Sequence, residues 1–389
     1  MVQLARLGDL IQTVPAIMAL KSADPALTLD LLCPAHLSPI GRLLPGVATV
    51  LEWDGLAWRR QAQAAGAGLG PEHLREADHR IGLLAPQLYD CAYVLNQHPH
   101  ALLAGALLAR ETIGPRREGP LGGPLTPWAT YIREVAVTGR GQQVHLADAF
   151  CGLCGVQPSG QPMTVCRSAC ALPADLDEIG RSEGRWVGLI VGAGDVERVV
   201  PLDTWRQWIV RFLDQDPRGR VVLIGQEKER GCQLLDSLPA SVLGRLWDAT
   251  GRTSLTELAE VVTRCHRVIG ADTGPLHLAA AMGVKVIGWY FARARVHQTG
   301  PYGSGHRIWQ AVETGENIPM DSGSIRPVRW PIEETVAALV EERIDCSEGW
   351  TVWASHCDRW GAYYSDASHS PSPPYEREAL WRNLCPVVR

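Results

Sequence analysis

Short apolar runs and helix-period segments alternate along this chain in two separate series. That alternation commits a chain to βα units with parallel strands. In the first series Met1–Ala5 reads as a strand. Asp9–Lys21 reads as a helix, with Ile11, Val14, Ile17 and Met18 on one face. Leu27–Cys33 and Val47–Trp53 read as strands, Glu72–Leu84 as a helix, Cys91–Leu95 as a buried strand and Ala101–Arg110 as a helix. The Gly/Pro-rich stretch Gly114–Pro127 is long for a loop and points to function or mobility. Residues 157–184 open on Gln157-Pro158-Ser159-Gly160-Gln161-Pro162 and read as a linker.

The second series has strands at Trp186–Val191, Val221–Ile224, Arg267–Gly270 and Val284–Trp289. Between them lie helices at Leu202–Leu213, Ser254–Arg264 and Pro275–Met282. Short connections predict two doubly wound α/β domains, 1–165 and 185–343, consistent with 389 residues at roughly 100–200 per domain. Ligands in such sheets bind beyond the carboxyl ends of the strands, so a cleft between facing domains is the expected site. A helix near Ile332–Arg343 leads into a C-terminal extension, 344–389, with Trp350, Trp353, Trp360 and Trp381. These rings are expected either to pack on the body or to bind glycan. Ser368–Pro374 within it should be irregular.

Composition removes several classes. Acidic residues outnumber basic ones 42 to 37, giving net −5, which argues against a general nucleic-acid binder. No stretch reaches about 18 uncharged apolar residues, so no membrane span is expected. Arg6 and Asp9 interrupt the first apolar run, and no secretory signal is expected. Eleven scattered cysteines then read as reduced thiols of a cytoplasmic protein.

Three constellations could carry chemistry. Asp9, in Leu7-Gly8-Asp9, lies between the first strand and helix and could serve as a general base. With Gln12 it also forms a capping-box-like pair, so capping stays open. Asp272-Thr273-Gly274-Pro275-Leu276-His277 follows a strand and opens a helix. Pro275 suits the first turn, Asp272 or Thr273 the cap, and the free amides suit a phosphate. Asp272 could take sugar hydroxyls and His277 phosphate oxygens; a plain capped helix remains the alternative. An aspartic-protease reading of Asp-Thr-Gly fails, because those enzymes pair two such loops in a mostly β fold. Gly192-Ala193-Gly194 with Arg198 lets backbone amides approach a diphosphate and sets a cation beside it, or is simply a tight turn. It matches neither a dinucleotide fingerprint nor a P-loop.

Cys151-x-x-Cys154 and Cys166-x-x-x-Cys170 have the look of a metal quartet. Val144–Gly155 reads as one amphipathic helix, however, which makes Cys151 and Cys154 small hydrophobes on a shared face. Cys346, His356, Cys357 and Cys385 lack diagnostic spacing.

Taken in order, these pieces resemble glycosyltransferase family 9, the lipopolysaccharide heptosyltransferases. Gln3-Leu4-Ala5-Arg6-Leu7-Gly8-Asp9 through Pro15 looks like the family's opening. Gly188-Leu189 through Gly192-Ala193-Gly194, with Arg198 and Pro201-Leu202-x-x-Trp205, looks like its donor-phosphate loop. Gly251-Arg252-Thr253-Ser254-Leu255, Asp272 through Ala281, and Thr299-Gly300-Pro301-Tyr302-Gly303 complete the series. The resemblance covers roughly residues 1–343. It implies a GT-B fold: two Rossmann-like domains facing across a cleft, the first for the acceptor and the second for the nucleotide sugar.

The implied reaction is inverting, metal-independent transfer from ADP-heptose, with no cofactor, to a cell-envelope glycolipid such as the lipopolysaccharide core. Asp9 is the implied base. Gly192, Gly194, Arg198, Asp272, Thr273, Gly274 and His277 are implied donor contacts, and Glu229 stands near the family's ribose-binding Glu. The acceptor class implies a cytoplasmic protein peripheral to the inner face of the membrane. Departures cluster around the donor pocket: Arg198 replaces the usual Lys, and Phe291-Ala292-Arg293 replaces Gly-Pro-Thr/Ser. A different donor with a protein acceptor, a sugar-nucleotide epimerase or hydrolase, and a non-catalytic glycan-binding relative are the competing expectations.

Overall fold

The computed structural model describes every residue except 56–70, 86, 116–125, 139–143, 169, 182, 313–317, 320–324, 368–374 and 385–389. Most of the expected Gly114–Pro127 loop, all of Ser368–Pro374 and Cys385 therefore lie outside the described residues. The chain divides into two compact units. One comprises Met1–Gly141, Leu146–Ser159 and Glu378–Arg389; the other comprises Gln142–His145 and Gly160–Arg377.

In the first unit, strands β1 (Asp30–Pro34) and β2 (Thr49–Trp53) pair in parallel, as do β3 (Tyr89–Tyr93) and β4 (Ala109–Ile113). The opening residues join the two pairs. Val2 N–H donates to Tyr93 O at 2.7 Å and Gln3 N–H to Leu32 O at 2.9 Å. The expected first strand is thus reduced to bridges at Val2. The expected helix Asp9–Lys21 is two helices, Leu7–Ile11 and Val14–Ala23. Pro15 brings no N–H to a continuous helix, and Thr13 turns back, its N–H and hydroxyl both on Leu10 O. The Leu146–Leu153 helix buries Cys151 as the amphipathic pattern requires, and Cys154 just past its end is buried too. Gly152 lies flat on Trp128, whose ring atoms come within 2.1 Å of where a Cβ would stand. Trp381, from the last helix Tyr375–Leu384, covers that ring at a centroid distance of 4.4 Å.

The second unit is built on one mixed sheet. Its strands are β5 (Arg185–Ile190), β6 (Gly219–Ile224), β7 (Leu246–Asp248), β8 (Arg267–Ala271), β9 (Lys285–Tyr290) and β10 (Arg307–Ala311). A separate small pair is formed by β11 (Ile318–Pro319) and β12 (Ile325–Arg326). The hairpin β13 (Trp350–Asp358) and β14 (Gly361–Asp366) completes the sheet, in the order β14-β13-β10-β9-β8-β5-β6-β7. The six strands β5 to β10 run parallel, and β13 and β14 add antiparallel. Strand order reverses between β5 and β8, which places the switch point there.

Helical spacing decides the core. On the Leu202–Gln215 helix Trp205, Trp208, Ile209, Phe212 and Leu213 are buried, and Trp205 stacks on Trp289 of β9 at 4.6 Å. Each of these indoles buries on the order of 200 Å², worth about 5 kcal/mol of transfer free energy before entropy is counted.

Two stretches differ from expectation. Of residues 157–184, read as a linker, the described residues from Gly160 on pack with the second unit: Leu176 and Ile179 are buried, and Val165 N–H donates to Ala281 O at 3.0 Å. Within 344–389, read as an extension of its own, the hairpin β13–β14 supplies the sheet edge. Trp350, Val352 and Ala354 alternate inward along β13, a period-two pattern that the high Trp content obscured.

Candidate functional site

The sheet assembles a polar cluster at its switch point. Gly192-Ala193-Gly194 leaves β5. Asp195 Oδ1 then accepts Glu197 N–H at 3.1 Å and turns the chain through Val196–Arg198. That turn delivers Arg198 to the end of β8, where Asp272 opens the way into the Gly274–Ala281 helix. Arg198 Nη1 donates to Asp272 Oδ2 at 3.1 Å and to Asp272 O at 2.8 Å. His277 Nε2 reaches Asp272 Oδ1 at 3.1 Å, and Thr299 donates its hydroxyl to Oδ2 at 3.4 Å.

Asp272 is 7% exposed and His277 3%. Burial alone would raise the Asp272 carboxyl. Hydrogen bonding and charge from His277, the Arg198 guanidinium and the Tyr290 hydroxyl outweigh burial and hold it below the ordinary carboxylate value. Tyr290 in turn is pushed well up, by burial first and by Asp272 second, and stays a neutral donor. His277 Nδ1 is buried without a hydrogen-bond partner.

The structure therefore brings Arg198, Asp272, Thr273, Gly274 and His277 together. Thr273 is not the side-chain cap expected: its hydroxyl donates back to Ala271 O at 3.2 Å. Pro275 has no N–H, and Leu276 and His277 N–H donate to Thr273 O at 3.1 and 3.3 Å, which leaves the Gly274 amide as the first-turn donor available to another acceptor. A Cβ on Gly194 would meet nothing within 4 Å, so that side of the loop is open. Glu229 is exposed, in the first turn of the Lys228–Asp236 helix.

The residue that packs on the glycine loop is Glu227. Its carboxyl carbon stands 2.1 Å from where a Gly192 Cβ would be, and its Oε2 accepts Gln226 N–H at 3.0 Å. Sequence reading noted Thr299 as part of a motif without a role, and missed Glu227, Tyr290 and also Arg230, which donates to Val191 O and Val200 O at 3.2 and 2.8 Å. The only available signal for Glu227 was its place just after Gly225, whose φ of +142° sets the turn.

Asp9 belongs to the first unit. It is the third residue of the Leu7–Ile11 helix, and its Oδ2 accepts Arg6 N–H at 3.2 Å. The capping pair is thus Arg6–Asp9, not Asp9–Gln12, because the helix begins two residues before Asp9 and ends at Gln12. Gln3 fixes the turn beneath it, accepting from Ala5 N–H at 3.3 Å and Asn96 Nδ2 at 2.7 Å.

Among the described residues no group of three or more His, Cys, Asp or Glu is arranged to hold a metal ion. Burial pushes the Cys154 and Cys265 thiols up to about 12, so both behave as apolar groups. Among the described residues no helix is long and apolar enough to cross a membrane.

Residues 146–322 match the model of glycosyltransferase family 9 (heptosyltransferase). Over this segment, less than half of the chain, the sequence is similar to that family. The segment contains the whole Arg198–Asp272–His277 cluster; Asp9 and the hairpin β13–β14 lie outside it. Among curated protein sequences none matches the chain.

Solved structures carry the same fold. The Veillonella parvula family 9 glycosyltransferase aligns with a TM-score of 0.63 at 18% identity, over 81% of this chain and 87% of that one. The E. coli ADP-heptose lipopolysaccharide heptosyltransferase II gives 0.58 at 17%, over 81% and 90%. The E. coli heptosyltransferase WaaC with ADP gives 0.55 at 19%, over 78% and 89%. The chain is thus an α/β glycosyltransferase with the GT-B fold expected from its motifs.

Proposed function

We propose that this glycosyltransferase moves a heptose from ADP-heptose to a cell-envelope glycolipid such as the lipopolysaccharide core, by inverting, metal-independent displacement. The observation that carries the reading is the Arg198–Asp272–His277 cluster beside the start of the Gly274–Ala281 helix, at the switch point of the sheet. A leaving diphosphate needs fixed positive charge, and Arg198 with the Gly274 amide at the helix start supplies it. Asp272, kept ionised, orients Arg198 and His277. Gly192 and Gly194 let the loop backbone approach the phosphates. Glu227, lying over Gly192, is better set than Glu229 to meet the ribose.

In this reading the second unit holds the nucleotide sugar and the first the acceptor. Asp9 takes the acceptor hydroxyl's proton as oxygen attacks the anomeric carbon and the carbon–diphosphate bond breaks. The acceptor class would bring the protein to the inner face of the cytoplasmic membrane as a peripheral enzyme.

The test is a thermal-shift titration with ADP, GDP, UDP, CDP and TDP on the wild type and Asp272→Ala. A ligand of the native state raises the melting temperature by mass action. Stabilisation by ADP alone, weakened by the substitution, supports the reading. Preference for another nucleoside diphosphate would move the donor, and no shift at millimolar concentration would overturn the nucleotide-sugar assignment.

A further inference from the structure

The hairpin β13–β14 lies outside the family match, yet its rings grip the loop that holds Asp272. The short Val296–Thr299 helix carries His297 and Thr299 two residues apart. His297 packs edge-on against Trp353 of β13 at 4.5 Å and against Tyr364 of β14 at 5.8 Å. Thr299 donates to Asp272 Oδ2, and Thr299 O accepts the Tyr290 hydroxyl at 2.9 Å. Tyr364 is 2% exposed, and its hydroxyl donates to Pro301 O at 3.2 Å. Gly300 leaves room for that ring: a Cβ there would stand 2.3 Å from the Tyr364 oxygen. The far side of the same turn is fixed by His145, whose Nε2 lies 2.8 Å from Gly300 O and whose ring packs on Tyr302 at 5.4 Å.

We infer that Tyr364 is a positioning residue for the nucleotide site: by seating Gly300-Pro301 it sets Thr299 against Asp272, and so makes the C-terminal hairpin a working part of donor binding. The inference rests on the nucleotide-sugar reading above. Tyr364 touches no reacting atom; it acts through Thr299. Neutral hydroxyl–carbonyl bonds are modest in net worth, so the effect should be graded rather than absolute.

Three substitutions of the full chain test it. Tyr364→Phe removes the hydroxyl and keeps the ring. Gly300→Ala forces ring and turn apart. Tyr363→Phe, on the opposite face of β14, is the control. Two readouts are taken: the Kd for ADP, and amide hydrogen exchange of the 296–302 segment. Tyr364→Phe should raise Kd roughly threefold to tenfold and speed exchange in 296–302, with exchange in β5 and β6 unchanged. Gly300→Ala should do both more strongly, and Tyr363→Phe neither. Unchanged exchange in 296–302 overturns the inference, as does an unchanged Kd in a wild type that binds ADP, or an equal effect in the control. A wild type that binds no nucleoside diphosphate while the exchange result holds would remove the nucleotide reading and leave the brace on Asp272 standing.

Discussion

Arg198 and Asp272 meet, Nη1 to Oδ2 at 3.1 Å, across the point where the strand order of the large sheet reverses. Arg198 follows β5 and Asp272 follows β8, so the pair ties together the ends of the two strands that flank the switch point. One guanidinium nitrogen serves both the carboxylate and the backbone carbonyl of the same residue, which fixes the Arg side chain before any ligand arrives.

Removing Arg198 should therefore cost both stability and activity. Arg198→Ala leaves a carboxylate that is 7% exposed with one fewer partner. Truncating one side of a buried pair costs on the order of 3 kcal/mol, and the partial exposure of Arg198 lowers this toward 2. Loss of the charge facing a leaving diphosphate should lower kcat about 10²–10³-fold. Arg198→Lys, which keeps the charge, should fall between. Urea unfolding together with single-turnover kinetics measures both; an Ala variant with wild-type midpoint and rate would show the pair to be idle.

Gly192 predicts a separation of stability from binding. The atoms that a Cβ at 192 would strike belong to the Glu227 carboxyl, the free end of a side chain that can swing away. Gly192 is buried, but because what it meets is a movable carboxyl, Gly192→Ala should cost only about 0.5–1 kcal/mol. The displaced carboxylate should weaken ADP binding while leaving the melting temperature nearly in place. A large drop in melting temperature would mean that the glycine serves the fold rather than the ligand.

The legibility of this chain follows residue by residue from its chemistry. The parallel strands were readable where β-branched or apolar residues run unbroken, as in Val221–Ile224. Strand β10 escaped notice because Gln310 interrupts it; that amide is buried and satisfied, donating to Tyr290 O and Ala294 O at 3.2 and 3.1 Å. Such a bond is visible only once the partners are in place. Strand β7 is three residues long, too short for any period. At the site, Arg198, Asp272 and His277 carried enough motif to be named. Thr299 and Tyr290 reach Asp272 from 27 and 18 residues away, and spacing along the chain says nothing about them.

Trp381 is the clearest stability prediction in the first unit. It is 1% exposed, and its ring lies 4.4 Å from Trp128, itself seated on Gly152. Trp381→Ala opens a cavity against a surface that cannot collapse, since Trp128 is already in contact beneath. The expected cost is about 3–5 kcal/mol. Calorimetry should show a transition moved to lower temperature, and Trp381→Phe should recover part of the loss. An unchanged thermogram would mean that the last helix adds nothing to the unit.

The second unit should also be unusually sensitive to mild acid. Burial, its main cause in each case, lowers the pKa of His145 to about 4, of His297 to about 4 and of His306 to about 3, against an ordinary value near 6.5. A folded-state value below the unfolded one means that the unfolded chain binds protons that the native chain refuses. The stability is fully present above pH 6.5 and is lost as pH falls from there toward 4. Each group contributes a slope of up to about 1.4 kcal/mol per pH unit, so three together approach 4. Below about pH 6 the melting temperature should therefore drop steeply. Replacing His306, which accepts Val286 N–H at its Nδ1 (3.3 Å), by Asn removes one titrating group. His306→Asn should flatten the decline between pH 6 and 4 by about one proton, even as it lowers stability at pH 7. A variant whose pH dependence runs parallel to the wild type would show that His306 titrates alike in the folded and unfolded chain.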